Sequence, residues 1–245
     1  MIPKIIHYCW FGKKPIPNNL KLCMTSWTKI MPECEWKCWN EETFNVNSVP
    51  WTKEAYHAGK YAFVSDYVRL IALYEFGGIY LDTDVKLLKS LYSFLSRYDA
   101  FTGFENKEQL TSAIIACKPK HPLIKLYLQY YQEKHFSEDI VINNEANVRM
   151  MTDICKRHGL QTNNTEQDIK IGDYNLHIFP KTYFCPLDFW HNKDFSENTH
   201  SIHYFDASWL KKETKKRIHI ERSHFYKIKN SILQFIIKVY HIFQK

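Results

Sequence analysis

Residues 77–84 read Gly-Gly-Ile-Tyr-Leu-Asp-Thr-Asp, and this run constrains the fold more than any other stretch of the chain. Gly77 and Gly78 close a long helical pattern, because glycine accepts the C-terminal cap conformations that other residues resist. Ile79, Tyr80 and Leu81 then form a short apolar run of the kind that makes a buried strand. A second apolar run, Val85-Lys86-Leu87-Leu88, follows at once. Asp82 and Asp84 therefore stand at a strand end, an expensive place for carboxylates unless something pairs with them. Alternate side chains of a strand point the same way, so an extended path converges Asp82 and Asp84 on one ion. Oxygen ligands select hard divalent cations such as Mg2+ or Mn2+, and such a cation suits a phosphate. The motif thus points to a metal-dependent enzyme acting on a phosphorylated substrate; a solvated hairpin turn is the plainer alternative.

The chain has 245 residues, with 45% hydrophobic and 16% aromatic content. That suits one large domain or two small ones with a real core, and is too apolar for disorder. Glycine is scarce, at seven residues, and there is no glycine-rich phosphate loop of either usual type. No secretory signal and no run of about 18 apolar residues is present. The seven cysteines are scattered, and Cys34 and Cys38 lack a second pair, which argues for reduced thiols and against a zinc site.

Residues 3–11 read as a first buried strand ending at Gly12. Leu20–Met31 reads as a helix with Leu22, Trp27 and Ile30 as candidate core positions, and Glu35–Trp39 as a second strand. This βαβ opening predicts an α/β sheet. Residues 53–76 give the longest helical pattern, with Tyr67, Leu70, Ile71 and Tyr74 on one face. Asp66 and Arg69, three apart, are neighbours on that helix. Their surroundings are apolar, so a buried or cleft-facing pair is expected rather than a surface one. Residues 100–104, 113–117 and 176–180 read as further strands and 122–134 as a helix. Residues 135–175 are polar and give no clear pattern. Residues 182–209 form an aromatic, histidine-rich stretch without periodicity, of the kind that closes over a site.

Residues 211–245 hold ten Lys/Arg and two Asp/Glu, a net charge of +8 against +7 for the whole chain. From Ile228 onward the apolar residues fall on one helical face, which predicts a basic amphipathic C-terminal helix over 223–245, beyond a domain of residues 1–222. Such a helix suits an anionic membrane surface; a terminal helix packed on the core or a subunit contact is the alternative. With a near-neutral body and no nucleic-acid motif, nucleic acid is not an expected partner.

Three stretches, Ile2–Gly12, Lys60–Leu70 and Gly77–Asp84, together with Ser201–Trp209, resemble the D-x-D sugar-transferase family, glycosyltransferase family 32. That family includes bacterial capsule and O-antigen transferases and fungal mannosyltransferases and is related to the glucosylating domains of clostridial toxins. The resemblance covers roughly residues 2–209. It implies a GT-A fold with a mixed, mostly parallel sheet, and a retaining hexosyltransferase that uses a nucleotide-sugar, a UDP-sugar first, in surface polysaccharide synthesis. By motif match, Trp10 stacks on the base, and Asp66 and Arg69 contact the donor's sugar and ribose or phosphates. Tyr80 belongs to the same donor-binding set. Asp82 and Asp84 hold Mn2+ or Mg2+. His203 joins the metal, and Ser208 and Trp209 close on the diphosphate. Asp84, Asp66 and Arg69 are the catalytic candidates. Many members carry His-His or His-Trp where this chain has His203-Tyr204. The acceptor is expected to be lipid-linked or a polysaccharide, on the cytoplasmic face of the membrane. Acceptor-binding residues are expected within 100–175, with Glu105 a candidate.

Two rivals stand beside this reading. Leu81-Asp82-Thr83-Asp84-Val85 also fits the strand-plus-aspartate pattern of haloacid-dehalogenase phosphatases, with Asp82 as nucleophile. Such enzymes need a later acidic cluster, and Gly172-Asp173-Tyr174-Asn175 lacks the downstream acid. A non-catalytic carbohydrate-binding protein would need no metal–diphosphate site beside a closing loop.

Overall fold

A computed structural model describes residues 1–137, 147–188, 192–206, 217, 220 and 221. Nine strands are assigned among them: β1 (Ile5–Cys9), β2 (Glu35–Trp39), β3 (Gly78–Leu81), β4 (Val85–Leu87), β5 (Ala100–Gly103), β6 (Ile114–Cys117), β7 (Gln167–Ile171), β8 (Tyr174–Phe179) and β9 (Ser201–His203). The first five helices are α1 (Asn18–Ile30), α2 (Pro50–His57), α3 (Tyr61–Phe76), α4 (Tyr92–Arg97) and α5 (Pro122–Tyr131). Later helices span Asn147–Lys156 and Lys181–Phe184.

Seven strands form one sheet in the order β2-β1-β3-β6-β5-β8-β7, and β4 pairs with β9 in a separate two-stranded sheet. β1 is parallel to β2 and β3, and β5 is parallel to β8, while β6 and β7 run against their neighbours. Five of the seven strands thus point the same way, the mixed, mostly parallel α/β arrangement expected from the sequence. Alternation along β3 sends Ile79 and Leu81 into the apolar layer shared with Trp27 and Phe101, and Tyr80 into the opposite layer with Val68 and Leu73.

The two glycines before the Ile-Tyr-Leu run have separate structural duties. Gly77 ends α3 at φ +62°, and a Cβ there would lie 2.6 Å from the Pro119 nitrogen. Gly78, at φ +98°, comes so close to β1 that a Cβ would lie 2.6 Å from the Ile5 carbonyl oxygen. A side chain at either place would push the helix or the neighbouring strand off the sheet.

Several expectations need correcting. The single helix over 53–76 is two helices. Gly59, at φ +67°, ends α2, with its N–H donating to Tyr56 O at 3.0 Å and the Lys60 N–H donating to Ala55 O at 2.8 Å. That is the Schellman pattern, and it frees α3 to start in a new direction. Leu22, expected in the core, is 72% exposed, whereas Trp27 is fully buried and Ile30 partly so. The helix turns its Cys23, Met24 and Trp27 face inward instead. The first strand is shorter than expected, and the polar stretch 135–175 contains the helix Asn147–Lys156 and strand β7. The aromatic stretch 182–209 contributes part of a short helix and β9. The tail 223–245 lies outside the described residues.

Candidate active site

Asp82 follows β3 at the edge of the large sheet where the parallel strands end, the edge at which open α/β sheets bind ligands. It does not continue as a strand. The Val85 N–H donates to Asp82 O at 2.9 Å, closing a tight turn over Asp82-Thr83-Asp84-Val85. The expectation of strand alternation is therefore corrected: the two carboxylates are brought together by a turn that carries the chain from the large sheet into β4. The turn is pinned on both sides. Asp82 N–H donates to Ala113 O at 2.9 Å, and the Trp27 indole N–H donates to Val85 O at 2.8 Å. Leu87 N–H donates to the Ser26 hydroxyl at 2.8 Å, so α1 holds β4 in place.

β4 pairs with β9 so that Val85 faces His203 across the ladder. His203 Nε2 lies 3.4 Å from Asp84 Oδ2, and the Asp206 N–H donates to that same oxygen at 2.8 Å. One ligand atom from each of Asp82, Asp84 and His203 falls within 4.8 Å of the others. Two carboxylates and one imidazole at that spacing fit Mn2+ or Mg2+. Burial by itself would lower the His203 pKa, but the Asp84 carboxylate holds it well above the usual imidazole range. Burial would likewise raise Asp84, and His203 draws it down.

The second part of the site lies on α3. Asp66 and Arg69 form the buried pair expected from the sequence, with Nη2–Oδ1 at 2.9 Å and side chains 14% and 5% exposed. Arg69 also reaches Asp82 at 3.4 Å, donates through Nη1 to Ser112 O at 2.7 Å, and lies 4.6 Å over the Tyr80 ring. The Tyr80 hydroxyl donates to Asp82 Oδ1 at 2.9 Å, while its ring is 1% exposed. Tyr80 is thus placed beneath the site, where it orients Asp82. Burial raises the Asp66 pKa to about 6 despite Arg69.

Sequence reasoning missed two neighbours of this pair. Asn147 Nδ2 donates to Asp66 Oδ1, and the Ser112 hydroxyl donates to Asn147 Oδ1 at 3.1 Å. Asn147 starts a helix inside the stretch whose pattern gave no signal, and nothing around Ser112 marks it. Glu41 was missed too. Its Oε1 accepts from Gly12 N–H at 2.7 Å and from the Tyr56 hydroxyl at 2.8 Å, which fixes the loop after Trp10.

Trp10 follows β1 at the same sheet edge as Asp82. It is half-buried, its backbone N–H donates to Trp39 O at 2.8 Å, and its indole N–H donates to Lys14 O at 2.6 Å. Glu105, two residues beyond β5, is part-buried near the acidic cluster; burial raises its pKa, and Asp82 and Asp84 add to the rise against the pull of His203. Ser208 and Trp209 lie outside the described residues.

Residues 17–101 match the glycosyltransferase sugar-binding region containing the DXD motif, a span that includes α3 and the Asp82-Thr83-Asp84 turn. An uncharacterized glycosyltransferase of Acanthamoeba polyphaga mimivirus is 26% identical over 79% of this chain and 77% of its own length. The chain is a glycosyltransferase. Among this glycosyltransferase's relatives, the inositol phosphoceramide mannosyltransferase 3 of Schizosaccharomyces pombe is 30% identical over 50% of this chain. The chain covers 35% of that fungal protein's length. A mannosyl phosphorylinositol ceramide synthase of Saccharomyces cerevisiae is 22% identical over 79% of this chain and 53% of its own length. A solved PaToxG glycosyltransferase aligns with a TM-score of 0.48 at 20% identity, covering 64% of this chain and 69% of its own.

Proposed function

We propose that this glycosyltransferase transfers a hexose from a nucleotide-sugar, with retention, to a hydroxyl of a lipid-linked or polysaccharide acceptor. A UDP-sugar is the first candidate donor, and the names of the fungal relatives put activated mannose beside it. Synthesis of surface polysaccharide, at the inner face of the membrane, is the setting this reading favours. One observation carries the reading: Arg69 ties the Asp66 carboxylate to Asp82, which shares a potential cation site with Asp84 and His203.

In this reading the base stacks on Trp10, at the end of β1, and the diphosphate lies over the turn after β3. Asp82, Asp84 and His203 would hold a divalent cation, which would supply Lewis-acid neutralisation of the departing diphosphate. Arg69, with its fork fixed by Ser112 and Asp66, offers its charge to the same region and orients Asp66 toward the sugar hydroxyls. Tyr80 holds Asp82 in the rotamer that faces the site. Ser208 and Trp209 are assigned to closing on the diphosphate by the family resemblance alone. The phosphatase alternative is not favoured, since the match over residues 17–101 is to a sugar-transferase region and includes Asp82.

The test is a panel of UDP- and GDP-sugars incubated with the purified protein and Mn2+, scored for release of the nucleoside diphosphate. Turnover with one donor, abolished by chelation and restored by Mn2+, is the expected result. Equal turnover in metal-free buffer overturns the cation assignment, and no turnover with any donor overturns the reading. Flotation with anionic vesicles at low salt tests the basic tail; failure to float makes 223–245 a structural or subunit element.

A further inference from the structure

We propose that Glu105 holds the hydroxyl of the incoming acceptor, at the end of the site opposite Trp10; the inference rests on the transferase reading above. The sheet order supplies the geometry. β1, β3 and β5 point the same way, so Trp10, Asp82 and Glu105 all leave the sheet at one edge, in that order across it. Only β6 separates β3 from β5, which puts Glu105 about 10 Å from the β3 axis at the usual strand spacing. A donor with its base at β1 and its diphosphate at β3 has its sugar at the β3–β6 side, next to Asp66 and Arg69. Glu105 stands one strand farther on, where an attacking group must approach.

The backbone fixes Glu105 there. Its N–H donates to Gln109 O at 2.8 Å, and Phe104 and Leu110 form an isolated antiparallel bridge beneath it. The Thr111 N–H donates to Gly103 O at 2.8 Å, and the Leu110 N–H donates to the Thr152 hydroxyl at 3.0 Å. The loop 105–109 is thus closed at its base and tied to the helix Asn147–Lys156.

The carboxylate lies within electrostatic reach of Asp82, Asp84 and His203, yet no hydrogen-bond donor reaches it among the described residues. Glu105 is part-buried, so its carboxylate is partly desolvated with water as its remaining donor, and a hydroxyl that displaces that water would take over the donation. The cation is not its partner in this geometry, because the cluster that closes to within 4.8 Å is Asp82, Asp84 and His203 without Glu105. The donor sugar has its own acceptor groups on α3. What remains is the hydroxyl of the acceptor. With Asp82 and Asp84 beside it, this position repels anions, so the part of the acceptor that enters is a neutral polyol or sugar, and any phosphate on the acceptor lies outside.

Glu105→Gln tests the assignment in the full chain, with the donor found active in the panel, Mn2+, and water or added glycerol as the accepting hydroxyl. The expected result is Mn2+ affinity and donor KM within twofold of wild type, with kcat for nucleoside diphosphate release reduced tenfold or more and partly rescued by Glu105→Asp. A tenfold loss of Mn2+ affinity makes Glu105 a metal ligand. A raised donor KM with intact kcat makes it a donor contact. Unchanged turnover removes it from the site. Each of these three overturns the inference. A melting temperature close to wild type shows that the variant is folded; if Glu105→Gln does not fold, the same comparison is made with Glu105→Asp alone, where unchanged kcat is the overturning result. Absence of turnover in the wild type is a different outcome and strikes the transferase reading itself.

Discussion

Arg69 Nη2 lies 3.4 Å from Asp82 Oδ1, so one guanidinium joins α3 to the turn that ends β3. The same side chain is also committed to Asp66 and to the Ser112 carbonyl. Lysine keeps the charge but has no planar fork, so it cannot reach all three. Arg69→Lys is expected to fold and to lose donor turnover by about two orders of magnitude, the scale of one well-placed transition-state donor. Arg69→Ala leaves Asp66 buried without a cation and should cost about 3–5 kcal/mol of stability. Thermal melts beside kcat/KM check both.

Asp82→Asn and Asp84→Ala should each abolish transfer. A lost ligand removes several kcal/mol of charge stabilisation at the departing diphosphate. The two differ in one respect. Asp84 also accepts the Asp206 N–H and pairs with His203, so Asp84→Ala should loosen residues 203–206, while Asp82→Asn should not. Hydrogen exchange at those amides, read beside Mn2+ titration, separates the effects.

Trp10→Ala should weaken nucleoside diphosphate binding by about 1–3 kcal/mol, as for other base–aromatic stacks. Trp10→Phe keeps a ring but loses the indole bond to Lys14 O, and is expected to retain most of the affinity. Equal affinity in wild type and Trp10→Ala would return this residue to a packing role.

The role proposed for Asp66 is set against its effect on stability. Its pKa in the folded protein is raised to about 6, so the unfolded chain ionises first as pH rises, and stability falls between the usual aspartate value and about 6. Asp66→Asn removes that burden. The metal-free variant should be more stable than wild type above pH 6, by on the order of 2 kcal/mol, with the gain vanishing as pH falls toward 4. It should also be inactive. Urea titrations at several pH values test this; a variant less stable than wild type at pH 7.5 refutes it.

His7 and His121 act in the opposite sense. Both are fully buried, and burial lowers each pKa to about 4. The unfolded chain therefore takes up these protons first, and the stability they contribute is complete above pH 6.5 and lost as pH falls from there toward 4, by about 3 kcal/mol apiece. Asp66 offsets part of the loss below pH 6 in the wild type. The Asp66→Asn variant, lacking that offset, should lose stability more steeply on acidification, which the same titrations would show.

The features legible in the sequence were those fixed by local chemistry. Gly77-Gly78 before Ile-Tyr-Leu could only end a helix and start a buried strand, and an Asp–Arg pair three apart among aromatic residues had to be paired. What stayed hidden was set by tertiary contacts. A turn at Asp82-Thr83-Asp84 was the plainer alternative in the sequence; what the sequence could not show is that Trp27 and Ser26 of α1 pin it through Val85 and Leu87 and that β4 leaves it to pair with β9 rather than with β3. Asn147 is polar within a polar stretch, and only its meeting with Asp66 gives it a part in the site. Gly59 did carry a signal, overridden by the strength of the periodic pattern on either side. Leu22 fits the helical period but sits on the face that α1 turns to solvent.

The pairing of β4 with β9 has a consequence for the order in which the molecule comes into being. All seven strands of the large sheet are present in the chain by Phe179, but His203 is supplied by β9. A chain halted before residue 201 holds every strand of the large sheet but only Asp82 and Asp84 of the three residues proposed to hold the cation. If the proposed cation site is right, a product truncated before β9, the last strand among the described residues, should hold Mn2+ more weakly than the full chain, which a metal titration of the two would show.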